Sequence, residues 1–269
     1  MDIHHFFIGF APGNGLISKK DQMPTVQHRD REQVQQADRG GNHRDEADEG
    51  LEIHRQLVQT RSIDGFVIII PKSNDPRVKL LRELKVPFIL HGQTMDEPDY
   101  PFYDIDNVAI GYKLTKNLID SGHNKIAFIN GPSEESFVAR RFSGYQNALT
   151  EAGIRINKKF QISGKMTKET GLIETIRLFQ RNEEKPTGMI ASNMRILQGI
   201  FEGAKALGLK IPTDISVVAH DDVLPDCPAE VFPVAISRTQ APLVNSWDPL
   251  AELLKQHLDG AKLKTVQKR

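Results

Sequence analysis

Five short apolar runs punctuate the chain at spacings that leave room for a helix between them: residues 63–70 (IDGFVIII), 86–90 (VPFIL), 125–130 (KIAFIN), 187–192 (TGMIAS) and 215–219 (ISVVA). None alternates strictly between apolar and polar residues. Such runs predict strands covered on both faces, as in a parallel sheet packed between helices. Between the runs the period lengthens. Ile110, Leu114 and Leu118 recur at i, i+4 and i+8, and Phe142, Tyr145 and Leu149 mark one face of another helix. Gly122 and Gly153 follow where a helix ending in a left-handed residue places its glycine, and the segments ending at Gly208 and Gly260 read the same way. From about residue 48 onward the pattern is one of repeated βα units. The expected fold class is α/β with doubly wound parallel sheets.

The N-terminal region departs from this pattern. A doubly wound lobe needs a helix and a second buried strand between FFIGFAP and EGLEIHRQLVQT, yet residues 18–50 offer only Met23, Val26 and Val34 as substantial apolar side chains. That is too little to cover a sheet face. The stretch reads as a solvated insertion, a locally disordered segment, or a segment set out of the reading frame of its surroundings. At 269 residues the chain accommodates one large domain or two lobes. Turn formers near residues 131–136 and 233–241 suggest a first lobe over 1–131 and a second over 132–235. A crossover segment and terminal helix over 236–269 would partly return to the first lobe.

Composition narrows the chemistry. Thirty-five basic residues balance thirty-five acidic ones, so no overall field draws the chain to nucleic acid or an anionic membrane. Cys227 is the single cysteine, which excludes an intrachain disulfide and a cysteine-based zinc site and fits a reducing compartment. MDIHHFFIGFAPGNG carries no basic leader and no cleavage pattern, and no run reaches transmembrane length, so a soluble cytoplasmic protein is expected. His4, His5, His28 and His43 match no metal-ligand frame, GNGLISKK lacks the phosphate-loop spacing, and no G-x-S-x-G elbow occurs. No catalytic residue, metal or cofactor is assigned.

One stretch carries more information: IDNVAIGYKLTKNLIDSGHNKIAFINGPSEESFVARRFSGYQNALTEAGI, residues 105–154. It sets Asp106-Asn107, Gly122-His123, Gly131-Pro132 and then Arg141, Gly144 and Tyr145 in order, and TDISVVAHDD follows later with Asp221. This ordered set resembles the effector-binding core of the lactose-repressor (LacI) family of bacterial transcription regulators, over roughly residues 47–265. The resemblance implies a type I periplasmic-binding-protein-like fold: two lobes joined by crossovers, closing on a small sugar-like effector. It also implies a homodimer, with operator DNA bound only through an N-terminal helix-turn-helix that this chain does not display. A secreted sugar-binding protein serving a transporter shares the fold and is the alternative. An enzyme is a third class, without a nucleophile-base pair to support it.

The site residues follow from the resemblance, beside a plainer reading of each. Ligands of open parallel sheets bind beyond the carboxyl ends of strands, where Asp106, Arg141 and Asp221 fall. Carboxylates accept from sugar hydroxyls and a guanidinium donates to them. Asp106 is otherwise a helix N-cap. Arg141 is otherwise a surface partner for Glu134 or Glu135, with Arg140 beside it as an internal comparison. The family pattern selects Asp221 over Asp222. Asn193 matches a family asparagine, although Met194 stands where an aspartate is usual. Phe137 supplies either a pocket ring or core packing, and Trp247 reads as packing or interface. Arg238 lies near a family position that reaches the pocket from a crossover strand. Asn14 sits in the loop after the first strand. His123, after a helix stop, is structural.

Overall fold

The computed structural model describes residues 6–8, 43–61, 63–96, 99–180, 184–260 and 266–267. They form two five-stranded sheets. The first contains β1 (Phe6–Ile8), β2 (Gly65–Ile69), β3 (Phe88–His91), β4 (Phe102–Asp104) and β10 (Val266–Gln267), in that spatial order. The second contains β5 (Ile126–Asn130), β6 (Gln161–Ser163), β7 (Gly188–Ala191), β8 (Ser216–Asp221) and β9 (Ser237–Gln240), in the order β6-β5-β7-β8-β9. Every pairing is parallel except β1 with β2, where Phe6 faces Val67 in antiparallel register. The first sheet is therefore mixed at one edge, where an all-parallel sheet was expected.

Helices α1 (His43–Gln59), α2 (Pro76–Glu83) and α7 (Trp247–Leu258) serve the first sheet, and α3 (Asn107–Asp120), α4 (Ser136–Glu151), α5 (Lys168–Gln180) and α6 (Met194–Ala206) serve the second. The unbroken apolar runs are explained by the two faces they serve. In β5, Ile126 and Phe128 pack with Leu114, Leu118 and Tyr145 of α3 and α4, while Ala127 and Ile129 pack with Leu178, Ile196 and Ile200 of α5 and α6. In β2, Phe66 and Ile68 meet Val78 and Leu81 of α2, while Val67 and Ile69 meet Leu250, Leu253 and Leu254 of α7. Each face removes a separate block of apolar surface from water.

The lobe boundary lies earlier than the turn formers suggested. β5 pairs only within the second sheet, and α3 packs on α4, so the second lobe begins after β4, at residues 105–106, rather than near residue 131. Gly131 and Pro132 are a strand-to-helix turn inside that lobe. At the other end β9 completes the second sheet, and residues 241–246 lead back to α7 on the first.

α3 and α4 cross at a glycine pair. A Cβ added at Gly144 would stand 2.0 Å from the Val108 carbonyl oxygen, and one at Gly111 would stand 2.0 Å from that of Arg141. Only glycine lets the backbones approach this closely. Tyr145, next to Gly144, sends its hydroxyl to the Ile126 carbonyl at 2.7 Å, tying α4 to β5. The crossing fixes the height at which Arg141 stands over the ends of the strands.

Candidate functional site

Arg141 occupies the second turn of α4 and is 4% exposed. Its Nε donates to Asn107 Oδ1 at 2.9 Å, and its Nη1 donates to both the carbonyl and the Oγ of Ser192 at 2.8 Å. Ser192 Oγ in turn donates to Asn130 Oδ1 at 2.8 Å, so the ends of β5 and β7 hold the guanidinium through one connected network. The Phe137 ring lies 4.9 Å from its Cζ, in cation–π range. Burial lowers the Arg141 pKa from its ordinary value, and nearby Asp222, Asp104 and Glu135 oppose that shift. The group stays charged.

The first lobe reaches the same place from the other side. Asn107 Nδ2 donates to Asp104 Oδ1 at 3.1 Å, and Gln93 Nε2 donates to Asp104 Oδ2 at 3.1 Å. Asp104 is buried at the end of β4, and burial pushes its carboxyl up to about 6. His91, at the end of β3, is dropped by burial to about 4 and is neutral. Asp222 Oδ1 lies 3.1 Å from His220 Nε2, and the opposite ring nitrogen of His220 is 2.9 Å from Thr239 Oγ1 on β9. Burial alone would raise Asp222, but the His220 ring and the Arg141 charge hold it below the usual carboxylate range.

A backbone seam closes the mouth of this junction. Lys72 of the first lobe and Glu135 of the second form an antiparallel bridge. Ser73 N–H donates to the Glu134 carbonyl at 2.8 Å and Ser136 N–H to the Pro71 carbonyl at 3.0 Å. Arg140 adds a bond across the lobes, from Nη2 to the Thr94 carbonyl at 2.9 Å. Burial, followed by the neighbouring Glu134 charge, pushes the Glu135 carboxyl up to about 7.

Two mixed α/β lobes, meeting at a buried arginine set in this sequence motif, have close counterparts. Residues 43–237 match the family described as periplasmic binding proteins and sugar binding domain of the LacI family. The chain belongs to the LacI family. The HTH-type transcriptional regulator AglR of Rhizobium meliloti (strain 1021) is 37% identical over 190 residues, 70% of this chain and 53% of that protein. This LacI-family chain spans about half the length of the curated relatives it matches. A regulatory protein of the LacI family from Chloroflexus aggregans superposes with a TM-score of 0.71 at 29% identity, covering 81% of this chain and 77% of that one. A LacI-family transcriptional regulator from Enterococcus faecium, solved with bound ribose, gives 0.65 at 25% identity, over 80% and 78%. These relatives are transcriptional regulators, which favours that reading over a transport protein.

Within the LacI-family core the expected residues separate into two groups. Arg141 and Phe137 stand together at the junction. Asp106, Asn193, Asp221 and Arg238 each have at least one polar side-chain atom bonded within the protein. Asp106 caps α3, accepting from Ala109 N–H at 2.8 Å, and lines a different space: a cavity of about 500 Å³ beside the crossovers, walled also by Lys113, His220, Gln240 and Asn245. Asn193 caps α6 through Ile196 N–H at 2.8 Å and donates to the Met166 carbonyl at 3.2 Å. Asp221 accepts from Val223 N–H at 2.8 Å and from Arg238 Nε at 3.0 Å. Asp221 and Arg238 thus meet each other, stitching β8 to β9, and Asp222 is the neighbouring acid whose charge acts on Arg141. Asn14 lies outside the described residues. Glu134 and Glu135 do not take Arg141 as a surface ion pair, because Arg141 is buried. Asp104, Asn107, Ser192 and His220 escaped assignment as site residues. Asn107 stood in the quoted motif, but nothing in the local sequence marks Asp104 or Ser192 apart from their places at strand ends.

Proposed function

We propose that this chain is the effector-sensing core of a transcriptional regulator, which binds a small sugar-like molecule between the lobes and couples that binding to DNA recognition. The observation that carries the reading is Arg141. A buried guanidinium anchored to the second sheet and joined through Asn107 to Asp104 of the first is sensitive to any change in the angle between lobes. A ligand that binds the closed arrangement more tightly than an open one shifts that angle by its difference in affinity. Arg141 donates to ligand hydroxyls, the Phe137 ring covers an apolar sugar face, and Asp222 accepts. The ribose bound by the Enterococcus faecium regulator supports a sugar ligand. DNA binding belongs to residues outside the matched segment, the active assembly is a cytoplasmic homodimer, and no reaction is catalysed.

A thermal-shift panel of pentoses, hexoses and disaccharides tests the reading, since a ligand selective for the folded state raises the melting temperature by mass action. At least one sugar is expected to stabilise the protein, and Arg141→Ala is expected to abolish the response while circular dichroism shows the fold intact. A full response in folded Arg141→Ala places the ligand elsewhere. Sedimentation at micromolar concentration is expected to give a dimer, and a strict monomer would instead favour a transport protein.

A further inference from the structure

Among the described residues, two β-branched side chains stand in the left-handed region, which suits them least: Ile70, with φ +49°, and Val223, with φ +55°. The other two non-glycine residues there, Arg61 and Lys85, follow α1 and α2, where a left-handed stop is common. Ile70 instead ends strand β2 and precedes Pro71, and a residue before proline is steered towards extended backbone. Its side chain is 38% exposed, so core packing does not hold it there. Hydrogen bonds do. Arg77, in the first turn of α2, sends Nη2 to the carbonyls of Ile69 at 3.2 Å and Ile70 at 3.3 Å. Buried Asp75 fixes Arg77 by accepting from its Nε at 3.0 Å and its Nη2 at 2.7 Å, and it also accepts from Lys72 N–H at 2.9 Å. Met95 N–H donates to the Ser73 carbonyl at 3.2 Å. All these bonds lie within the first lobe, so residues 70–75 form a strap shaped by their own lobe.

The strap supplies what α4 lacks. The first N–H groups of a helix have no partner within it, and Glu135, at the cap position of α4, makes no side-chain cap bond. The Ser136 N–H is taken instead by the Pro71 carbonyl at 3.0 Å, across the lobe boundary, while Ser73 N–H donates back to the Glu134 carbonyl at 2.8 Å. We propose that the strap is a preformed latch that caps α4 from the opposite lobe, with Arg77 as its positioning residue, holding Ile70 left-handed so that Pro71 and Ser73 stay in register with α4. A contact surface shaped in advance lowers the cost of closing. The latch thereby sets how much of the protein is closed before a ligand arrives, and with it the apparent affinity for one. The inference rests on the lobes parting and closing, and not on which molecule binds near Arg141.

Amide hydrogen exchange of the ligand-free full chain, read residue by residue by NMR, tests the latch. The Ser73 and Ser136 amides report on the strap, and those of β5 report on the second lobe as a whole. Arg77→Lys keeps a charge for Asp75 but not the planar fork that also reaches two carbonyls. In this variant, exchange at Ser73 and Ser136 is expected to quicken roughly five- to thirtyfold, the equivalent of the cost of one left-handed residue, with β5 unchanged. Asparagine tolerates the left-handed region. Ile70→Asn alone should therefore leave both amides as protected as in the wild type, and Ile70→Asn added to Arg77→Lys should restore their protection. Unchanged exchange in Arg77→Lys, an equal rise in β5, or a double variant as fast as Arg77→Lys alone each overturns the latch. Faster exchange in Ile70→Asn alone overturns it too, because the isoleucine side chain would then be what holds the strap. None of these outcomes touches the sugar panel, so the effector reading is judged separately.

Discussion

The two lobes meet at one boundary but contribute to it differently. The second lobe contributes a braced cation: Arg141, held by Asn107, Ser192 and Asn130, on a helix pair locked through Gly111 and Gly144. The first contributes acceptors carried on strand ends and loops: the Asp104 carboxylate, the Thr94 carbonyl and the backbone of residues 71–73. The bonds that hold the cation lie within the second lobe, whereas the acceptors also take bonds from across the boundary. The difference assigns the roles. On the proposed reading, the second lobe is the braced side of the junction and the first is the side whose position would respond to a ligand.

The sharpest way to break this contrast is to spoil the glycine crossing. Alanine at position 144 gains about 1 kcal/mol in helix propensity but must push its Cβ away from a backbone oxygen 2.0 Å distant. Backbone cannot yield as a side chain does. Gly144→Ala is expected to lower stability by about 3 kcal/mol or more by urea denaturation. Gly65→Ala in the first lobe is a matched comparison, since its Cβ would stand 2.9 Å from the Pro87 oxygen and 3.1 Å from the movable Leu254 side chain. Its cost should be smaller. Equal costs would remove the mechanical distinction between the lobes.

The sequence revealed the elements of the second lobe more fully than it revealed the site. β5, β7 and β8 are unbroken apolar runs because helices cover both their faces, and α3 and α4 end at Gly122 and Gly153, where φ is +90° and +67°. β4, β6 and β9 were not among the five runs because each is only three or four residues long, β6 is mostly polar and β9 wholly so. The boundary between lobes was hidden for a related reason: a crossover of two residues carries no compositional break. The motif made Arg141 legible as a candidate, whereas nothing in it told which of Asp221 and Asp222 the second sheet would tie to β9. Adjacent residues at a strand end point to opposite sides, and only the pairing with Arg238 shows which of them the second sheet has claimed.

A smaller effect probes the acceptor side. Asp104 has its folded pKa raised to about 6, above its unfolded value near 3.9, because burial disfavours its charge. A raised pKa means that the folded state holds the proton more tightly than the unfolded state does. The associated stability is therefore present below about pH 4 and lost as pH rises through about 6. Asp104→Asn carries no charge to desolvate. Relative to the wild type, the variant should gain on the order of 2–3 kcal/mol between pH 4 and pH 7, measured as the difference between two denaturation series. A constant difference across that range would mean that Asp104 is solvated, and that the first lobe does not present a buried acceptor at the junction.

The smallest expected effect lies at the mouth, where the two lobes exchange backbone bonds around Glu135. Its carboxyl is raised to about 7 by burial and then by Glu134, beside the backbone bridge to Lys72. Opening the seam returns the side chain to water, where its pKa falls back towards the ordinary value. Protonated Glu135 therefore favours the closed arrangement, and its ionisation favours the open one as pH rises through about 7. In ligand-free protein, small-angle scattering should show a radius of gyration slightly larger at pH 8.5 than at pH 5.5, and Glu135→Gln should flatten that dependence near the compact value. If the variant kept the full pH dependence, the seam would be indifferent to this carboxyl. The hydrogen bond from Arg140 Nη2 to the Thr94 carbonyl would then be the next contact between the lobes to test.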